Sequence, residues 1–274
     1  MTKNFRMDIE LEDTQTWPKE LSTLVFENKT LVISYHSERE SIFLETKDDP
    51  VLRTYPPDNS YEDKYKDIVA QLTRILMQHN IIGYHCTRLT SDETKEIAES
   101  GMQILSCDLI TKRLSYACQE KILSESDCKT LLKNALDNNC KHRAGMIWFC
   151  PNRSTLKEEY SVFRLFRSWS GEAVYCGYEE DENIGIKLRS IGMPCIIKCT
   201  IPLSSLPDCS DIAERFLSFF VSDEIEYPEP TAGFDMPITR NLLNTEVLEI
   251  INIHNNSFEE LTNYKNWDQH YSIL

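Results

Sequence analysis

Residues 81–101 carry a strand pattern, a helix pattern and a terminating glycine in direct succession. The apolar run IIGYHC favours a buried strand. In the segment that follows, Ser91 or Asp92 can cap a helix with an acidic first turn, and Gly101 stands where helices commonly end. A strand that leads at once into a capped helix predicts a fold of mixed α and β structure. We expect an α+β protein built around this segment.

The first 58 residues are expected to form a separate β-rich lobe. Residues 20–46 hold β-branched and aromatic residues in short runs divided by polar groups, which favours a small antiparallel sheet. The segment 47–60 contains three prolines and is predicted to be a surface loop. A domain boundary is therefore predicted near residue 58.

Residues 59–274 are expected to form the main domain. Between 61 and 80, apolar residues recur every three or four positions, which predicts an amphipathic helix. Residues 105–143 read as a two-helix insertion, in which the Ser-Glu-Ser-Asp run at 124–127 can cap the second helix. The other predicted elements are strands at 146–150, 194–203 and 247–253, a helix near 160–181 with Phe163, Phe166, Trp169, Ala173 and Tyr175 or Cys176 on its inner face, and a terminal helix or arm from 258.

Size and composition limit the classes of protein to which the chain can belong. A chain of 274 residues with 41 % apolar side chains can bury about three quarters of its unfolded surface without covalent cross-links. It contains no apolar run of the roughly 20 residues that a membrane helix needs, and its first residues are polar. We expect a cytoplasmic protein that does not enter the membrane.

The charge balance bears on nucleic-acid binding. There are 44 acidic and 29 basic residues, a formal charge of −15 that repels phosphate backbones. A local basic patch formed by Lys-His-Arg at 141–143 with Arg153, Arg164 and Arg167 could still hold a nucleic acid, although such residues can equally form a solvated face.

The ten cysteines are predicted to be reduced, because nothing in the sequence resembles an export signal. Cys195 and Cys199 lie in an apolar run that favours a buried strand over a metal site. We expect no metal. A nucleophilic pair of Cys86 with His85 is disfavoured, because neighbours on a strand point to opposite faces.

The segment Tyr84-His85-Cys86-Thr87, with its helix ending at Gly101, resembles the opening of the His-Tyr-Glu branch of the ADP-ribosyltransferases. This branch includes poly(ADP-ribose) polymerases, tRNA 2′-phosphotransferases and bacterial relatives. Its strand reads His-Gly-Thr or His-Gly-Ser, so Cys86 stands where glycine is usual. The resemblance implies that NAD is the substrate, that His85 orients its ribose, and that Cys86 and Thr87 contact its nicotinamide end.

Two further segments extend the resemblance. Ile147-Trp148-Phe149-Cys150 is similar to a family strand, with Trp148 in place of tyrosine, and the run from Ser170 to Cys176 is similar to the helix that ends in the nicotinamide-stacking tyrosine. The resemblance implies that Tyr175 stacks on nicotinamide and that Trp148 lines the pocket. It also implies that Glu172 contacts the carboxamide or the acceptor.

The third family element is a glutamate ahead of a late strand. Asn244-Thr245-Glu246-Val247 resembles it, which makes Glu246 the candidate catalytic carboxylate and Glu249 the alternative. An ionised carboxylate can stabilise the oxocarbenium-like carbon that forms as nicotinamide leaves, and it can orient or deprotonate the acceptor. His85, Tyr175 and Glu246 are thus the expected catalytic residues.

Taken together, the resemblance implies a split two-sheet ADP-ribosyltransferase core in residues 59–274, interrupted by the helical insertion. The implied activity is mono-ADP-ribosylation of a macromolecular acceptor, protein or nucleic acid, by a toxin, defence factor or host-directed effector. An antitoxin or regulatory protein would be a further partner. No phosphate-binding loop, nucleophile elbow, zinc helix or dinucleotide fingerprint competes with this interpretation.

Two alternatives remain open from the sequence. Cys86 and Trp148 depart from the family pattern, which favours a catalytically inactive module that binds a partner. An NAD-dependent RNA 2′-phosphotransferase would keep the cofactor chemistry, but it needs basic residues around a phosphate, and the net charge disfavours it.

Overall fold

The protein has an α+β fold with two small sheets, in a computed structural model that describes residues 6–139, 143–206, 210–225, 235–269 and 273. The helices are α1 (Lys19–Glu27), α2 (Lys29–Thr46), α3 (Pro50–Thr54), α4 (Glu62–Leu76), α5 (Ser91–Ser100), α6 (Cys107–Gln119), α7 (Glu125–Asn134), α8 (Glu159–Arg167), α9 (Glu172–Tyr175), α10 (Ile184–Ser190), α11 (Ser210–Val221) and α12 (Asn256–Thr262). The strands are β1 (Asp8–Ile9), β2 (Asn80–Leu89), β3 (Ile147–Phe149), β4 (Met193–Pro202), β5 (Met236–Ile238) and β6 (Val247–Asn252).

The chain divides into two compact units, and each is formed by two separate stretches. The first unit comprises Met1–Ile81 and Pro202–Thr231, and the second comprises Ile82–Ile201 and Ala232–Leu274. The boundary predicted near residue 58 falls inside the first unit. Each described helix is too short or too polar to cross a membrane.

The first unit is helical where the sequence favoured strands. The prediction of an antiparallel sheet over 20–46 is wrong, because α1 and α2 occupy this segment. Their buried residues, Leu21 and Val25 on α1 and Val32 and His36 on α2, recur at intervals of four. This spacing lets each helix bury one face against α4, which outweighs the β-propensity of individual residues.

The connection to α4 is less irregular than its prolines suggested. Asp49 accepts hydrogen bonds from the backbone N–H groups of Val51 and Leu52, and Pro50 begins α3 where a missing N–H does no harm. The prediction of α4 itself is confirmed, with Tyr65, Leu72 and three further apolar residues on its buried face. The two residues of β1 pair in parallel with the first two of β2.

In the second unit, β2 lies beside β4, and β4 pairs antiparallel with β6. The smaller sheet consists of β3 and β5, paired antiparallel with Trp148 opposite Pro237. Tyr84 and Cys150 exchange two backbone hydrogen bonds of 2.9 Å, which joins β2 to the end of β3. The predicted strands over 146–150, 194–203 and 247–253 are therefore confirmed.

Helix α5 begins one residue earlier than the sequence indicated. Thr90, instead of Ser91 or Asp92, is the N-cap, and it forms a reciprocal capping box with Glu93. Gly101 ends the helix with φ of 86°, as predicted.

The predicted two-helix insertion is present as α6 and α7, and Ser124 caps the second helix. Both helices contribute to a hydrophobic cluster that also holds Trp169, Ala173 and Tyr175. The single helix predicted near 160–181 is divided into α8 and α9. Ser170 and Gly171 separate them, because both have a positive φ that an α-helix does not accept.

The described cysteines are free thiols, and Cys140 and Cys209 lie outside the described residues. Cys195 and Cys199 are buried in β4, as expected. Burial raises the pKa of the Cys195 thiol to about 11 and that of Cys199 to about 12. Both thiols are therefore protonated at neutral pH and act as small apolar side chains.

Candidate functional site

A cavity of about 450 Å³ opens in the second unit at the centre of β2. This volume lies within the range of roughly 300–1,000 Å³ typical of small-molecule sites. The predicted NAD-contacting residues that line it are His85, Cys86, Thr87, Trp148 and Glu172. Segments far apart in the sequence therefore meet at one concave surface.

The His85 imidazole is fixed by the neighbouring strand. Its Nδ1 lies 2.8 Å from the backbone carbonyl oxygen of Trp148, and because a carbonyl only accepts, Nδ1 carries the proton. Burial lowers the pKa of His85 below its ordinary value, which keeps the ring neutral at neutral pH. Nε2 is then an acceptor. It can accept a hydrogen bond from a hydroxyl group of a ligand.

The strand position of His85 is itself anchored by the buried Arg88. The Arg88 guanidinium donates four hydrogen bonds of 2.8–3.1 Å to backbone carbonyls, those of Phe166, Ile191, Gly192 and Ile273. Burial lowers the pKa of Arg88 to about 10, so it remains charged at neutral pH. This network holds the end of β2 and, with it, the cavity wall at Thr87.

Cys86 follows His85 and lies in a buried polar contact at the cavity edge. Its side chain neighbours Cys150, whose Sγ in turn lies 3.9 Å from Oδ1 of Asp235. Burial, followed by the contact with Cys150, raises the pKa of the Cys86 thiol well above its ordinary value. Cys86 is therefore a neutral wall residue, and nucleophilic chemistry at this thiol is disfavoured.

Glu172, at the start of α9, faces the cavity as part of an ion pair. Its Oε2 accepts from Nε and Nη2 of Arg143 at 3.2 and 2.9 Å, and Arg164 lies 3.7 Å from Oε1. Arg143 also lines the cavity. The wall thus presents a carboxylate and a guanidinium side by side.

Tyr175, predicted to stack on nicotinamide, is not brought to the cavity. Its ring is fully buried among the residues of α6, α7 and α9, and Ala173 of the same short helix lines the cavity instead. Burial, with a contribution from Glu172, raises the pKa of the Tyr175 phenol far above its ordinary value. The physical reason is the break at Ser170 and Gly171, which turns α9 so that Tyr175 faces the helical cluster.

Glu246, the predicted catalytic carboxylate, lies outside the cavity in a local ion pair. Arg240 donates to both carboxylate oxygens at 2.6 and 2.8 Å, and the backbone N–H of Leu243 donates a third bond of 2.8 Å. The hydrogen bonds from Arg240 hold the pKa of Glu246 below its ordinary value. Glu249, the predicted alternative, is exposed on β6 and lies outside the cavity as well.

Two residues that sequence reasoning missed belong to the cavity wall. Asp235 directly precedes β5 and is the second carboxylate of the cavity after Glu172. Burial, followed by the charge of Glu172, raises the pKa of Asp235 above its ordinary value. Arg113 of α6 is the other missed residue. The signal for Asp235 was an acidic residue immediately before a short apolar run. Arg113 gave no signal, because it lies in the predicted helical insertion, to which the resemblance does not extend.

The basic patch expected in the middle of the chain is largely neutralised where the structure describes it. Arg164 forms a two-pronged pair with Glu179, Arg167 pairs with Glu180, and Arg143 pairs with Glu172. Residues 141 and 142 lie outside the described residues. Within the described part of the chain, no group of histidine, cysteine and carboxylate side chains has the arrangement of a metal site.

Comparison with known proteins does not assign the chain to a family. No protein-family profile, curated protein or solved structure matches the chain.

Proposed function

We propose that this protein is an NAD-dependent mono-ADP-ribosyltransferase whose active site is the cavity beside His85. The observation that carries the proposal is that five of the six residues expected to contact NAD line this one cavity. Backbone pairing of Tyr84 with Cys150 brings residues 85–87 close to Trp148, and Glu172 reaches the same cavity from α9, far along the chain. A shared ligand accounts for the convergence of these side chains on one concave surface.

His85 binds NAD through its acceptor nitrogen. The hydrogen bond from Nδ1 to the Trp148 carbonyl fixes the ring before any ligand arrives, so little orientational entropy is lost on binding. Nε2 accepts a hydrogen bond from a ribose hydroxyl. The indole of Trp148 covers part of the same wall and supplies an aromatic surface for the nicotinamide ring in place of Tyr175.

Asp235 replaces Glu246 as the catalytic carboxylate in this proposal. The role requires a carboxylate in the same cavity as His85, which Glu246 and Glu249 do not satisfy. Of the two carboxylates in the first cavity, Glu172 is neutralised by Arg143, whereas the side chain of Asp235 contacts, among the described residues, the weakly donating thiol of Cys150. Its negative charge is therefore available to a cation that forms in the cavity.

The reaction follows from these positions. The bond between ribose C1′ and the nicotinamide nitrogen breaks, and both electrons leave with nicotinamide, which departs neutral. Asp235 stabilises the positive charge that develops at C1′. A nucleophilic oxygen or nitrogen of the acceptor then bonds to C1′ and releases a proton, which Asp235 or water accepts. Glu172, held by Arg143, positions the carboxamide or the acceptor.

The acceptor is a macromolecule in this proposal, and a protein fits the surface better than a nucleic acid. Arg143, Arg164 and Arg167, which could hold the phosphates of a nucleic-acid acceptor outside the cavity, are paired with glutamates. The same pairing disfavours an RNA 2′-phosphotransferase. A role as toxin or defence effector, with an antitoxin or regulatory partner, rests on family analogy alone.

Release of nicotinamide from NAD, compared between Asp235→Asn and Glu246→Gln, tests the proposal. Each substitution removes one negative charge and nearly preserves shape. Asp235→Asn should lower the rate by roughly 10²–10³ while NAD still binds, because the lost interaction acts mainly in the transition state. Glu246→Gln should retain the wild-type rate. The reverse pattern would return the catalytic role to Glu246, and wild-type protein that neither binds nor cleaves NAD would refute the proposal.

A module that binds NAD or a related ligand without catalysis is the second candidate. The neutralisation of Glu246 by Arg240 and the burial of Tyr175 favour it, since two of the three expected catalytic residues do not reach the cavity. This candidate predicts that NAD binds to the wild-type protein and that no nicotinamide is released.

A further inference from the structure

A second cavity of about 230 Å³ adjoins the first within the second unit. It lies along α5 and α6, on the other side of a shared wall. The residues common to both cavities are His85, Thr87, Met102, Gln103, Leu109 and Arg113. The two cavities together therefore offer space for a ligand with two bulky ends.

Arg113 is the fixed positive charge of the shared wall. Its guanidinium lies 4.8 Å from the centre of the Trp169 ring, and its Nε donates to Glu93 at 2.6 Å. Nη2 reaches the Arg88 carbonyl at 3.4 Å, whereas Nη1 makes no hydrogen bond to the residues that the structure describes. The side chain is held in place and keeps a donor for a ligand.

Glu93 does not cancel this donor. Its carboxylate also accepts from the indole N–H of Trp169 at 2.9 Å and from the backbone N–H of Thr90 at 2.8 Å. Its acceptor sites are thus divided among three partners, and it fixes the orientation of Arg113 through Nε. A guanidinium has five N–H donors in a planar fork, so one face can bind a carboxylate while another binds an anion.

The second cavity has the character of a site for a flat, largely apolar group. Leu89, Ile97, Leu109 and Ile197 contribute apolar side chains to its wall, and Tyr116 adds an aromatic ring. Acidic side chains also line it, of which Glu93 is bound to Arg113 and Glu96 to Lys112. A purine base presents a π-face to such surfaces and is favoured by stacking.

We propose that the two cavities form one dinucleotide site, in which Arg113 binds the diphosphate and the second cavity holds the adenosine. This inference rests on the proposed function and extends it to helix α6, which lies in the segment without a family counterpart. The nicotinamide riboside occupies the first cavity beside His85. The dianionic diphosphate lies at the boundary between the two cavities, next to Arg113, and each nucleoside end contacts an apolar surface.

Calorimetric titration of Arg113→Ala, Arg113→Lys and the control Lys129→Ala tests the phosphate contact. Lys129 is an exposed cation on α7 that lines neither cavity, so its removal changes net charge equally. Arg113→Ala should weaken NAD and ADP-ribose by about 10–100-fold, the loss expected for a hydrogen bond to a charged group. Nicotinamide, which has no phosphate, should bind all three variants and the wild type alike. Arg113→Lys should lie between wild type and alanine, because it keeps the charge without the fork.

Simultaneous binding of AMP and nicotinamide tests the division into two cavities. AMP should compete with NAD but leave the affinity for nicotinamide unchanged, since the two small ligands occupy separate spaces. Equal weakening of nicotinamide and ADP-ribose by Arg113→Ala, or unchanged affinity for ADP-ribose, would overturn the inference while leaving the proposed function in place. Competition between AMP and nicotinamide would also overturn the inference and leave the proposed function in place. Failure of NAD to bind the wild-type protein would overturn both.

Discussion

At the scale of single residues, Glu246 and Asp235 show how far a carboxylate's role depends on its partners. Glu246 stands in the sequence context expected of a catalytic glutamate, yet Arg240 and the Leu243 N–H occupy its oxygens. Asp235 has no such local partner in the described residues other than Cys150, and it faces the cavity. Glu246 is therefore expected to serve the stability of the loop before β6.

Glu246→Gln should lower the free energy of unfolding by about 1 kcal/mol at pH 7, because a partly buried ion pair and cap are weakened. The pH dependence has a definite sign. The pKa of Glu246 is lowered in the folded protein, so its contribution is present above the ordinary glutamate pKa of about 4.3 and is lost as the pH falls through the lowered value. Urea denaturation should therefore separate variant and wild type at pH 7, and the difference should shrink as the pH falls below the ordinary glutamate pKa and vanish below the lowered pKa of Glu246.

The exposed Glu249 provides the matched control, because it forms no ion pair with the residues that the structure describes, and Glu249→Gln removes the same charge from the adjacent strand. It should leave stability unchanged at both pH values. A Glu246→Gln protein as stable as wild type at pH 7 would contradict the structural role assigned to the Arg240 pair.

The contrast between the two carboxylates also marks what sequence can predict about the site. His85, Cys86 and Thr87 were predicted to lie together at a site because the pattern behind the resemblance is local: a strand, a capped helix and a glycine stop. The presence of Asp235 in the cavity wall depends instead on which late segment lies beside β3, and that is set by the pairing of β3 with β5 across more than 80 positions. Local patterns carry no information about such a pairing. Arg113 was missed for another reason, because it lies in the helical insertion, to which the resemblance does not extend.

At the scale of elements, the spacing of apolar residues predicted structure more reliably than the residue types did. The spacing in α4 and the capping signals of α7 were sufficient for both helices. The segment of α1 and α2 was misassigned because its β-branched and aromatic residues were weighed by type, although its buried positions have helical spacing. The division of α8 from α9 was not predictable, since a serine with positive φ gives no sequence signal.

The end of α5 offers a test at this scale, because the chain needs glycine there for two reasons. Gly101 has φ of 86°, and a Cβ at this position would lie 2.0 Å from the carbonyl oxygen of Leu242. Gly101→Ala should therefore lower the free energy of unfolding by at least about 2 kcal/mol, from backbone strain and overlap together. It should also weaken NAD binding, because Met102 and Gln103 line both cavities.

Gly145→Ala separates the cost of a positive φ from the cost of a close contact. Gly145 has a similar φ of 78°, but a Cβ there meets no atom within 4 Å, so only the backbone penalty of about 1 kcal/mol applies. Urea denaturation of both variants gives the comparison. Equal losses would show that the close approach at Leu242 contributes nothing.

At the scale of the whole molecule, the cavity and its neighbour belong entirely to the second unit. Ligand binding suppresses the openings of the structure that it contacts, so its protection from hydrogen exchange should follow this division. Saturating NAD should slow exchange at residues 85–87, 102–105 and 146–148 and leave α1 and α2 unchanged. Mass spectrometry of peptic fragments measures this. Protection concentrated in α1 and α2 would place the ligand in the other unit.

Because the two units are interleaved along the chain, the first unit can be completed only late in synthesis. Helix α4 is complete at Leu76, but α11, against which it packs in the same unit, begins only at Ser210. At translation rates of about 5–20 residues per second, roughly 7–27 s pass before the ribosome supplies the missing helix. During that interval α1 and α2 can already cover part of the apolar face of α4, but the part that packs against α11 is exposed to solvent. Helices α1, α2 and α4 are synthesised early but are thus among the last elements to reach their final packing.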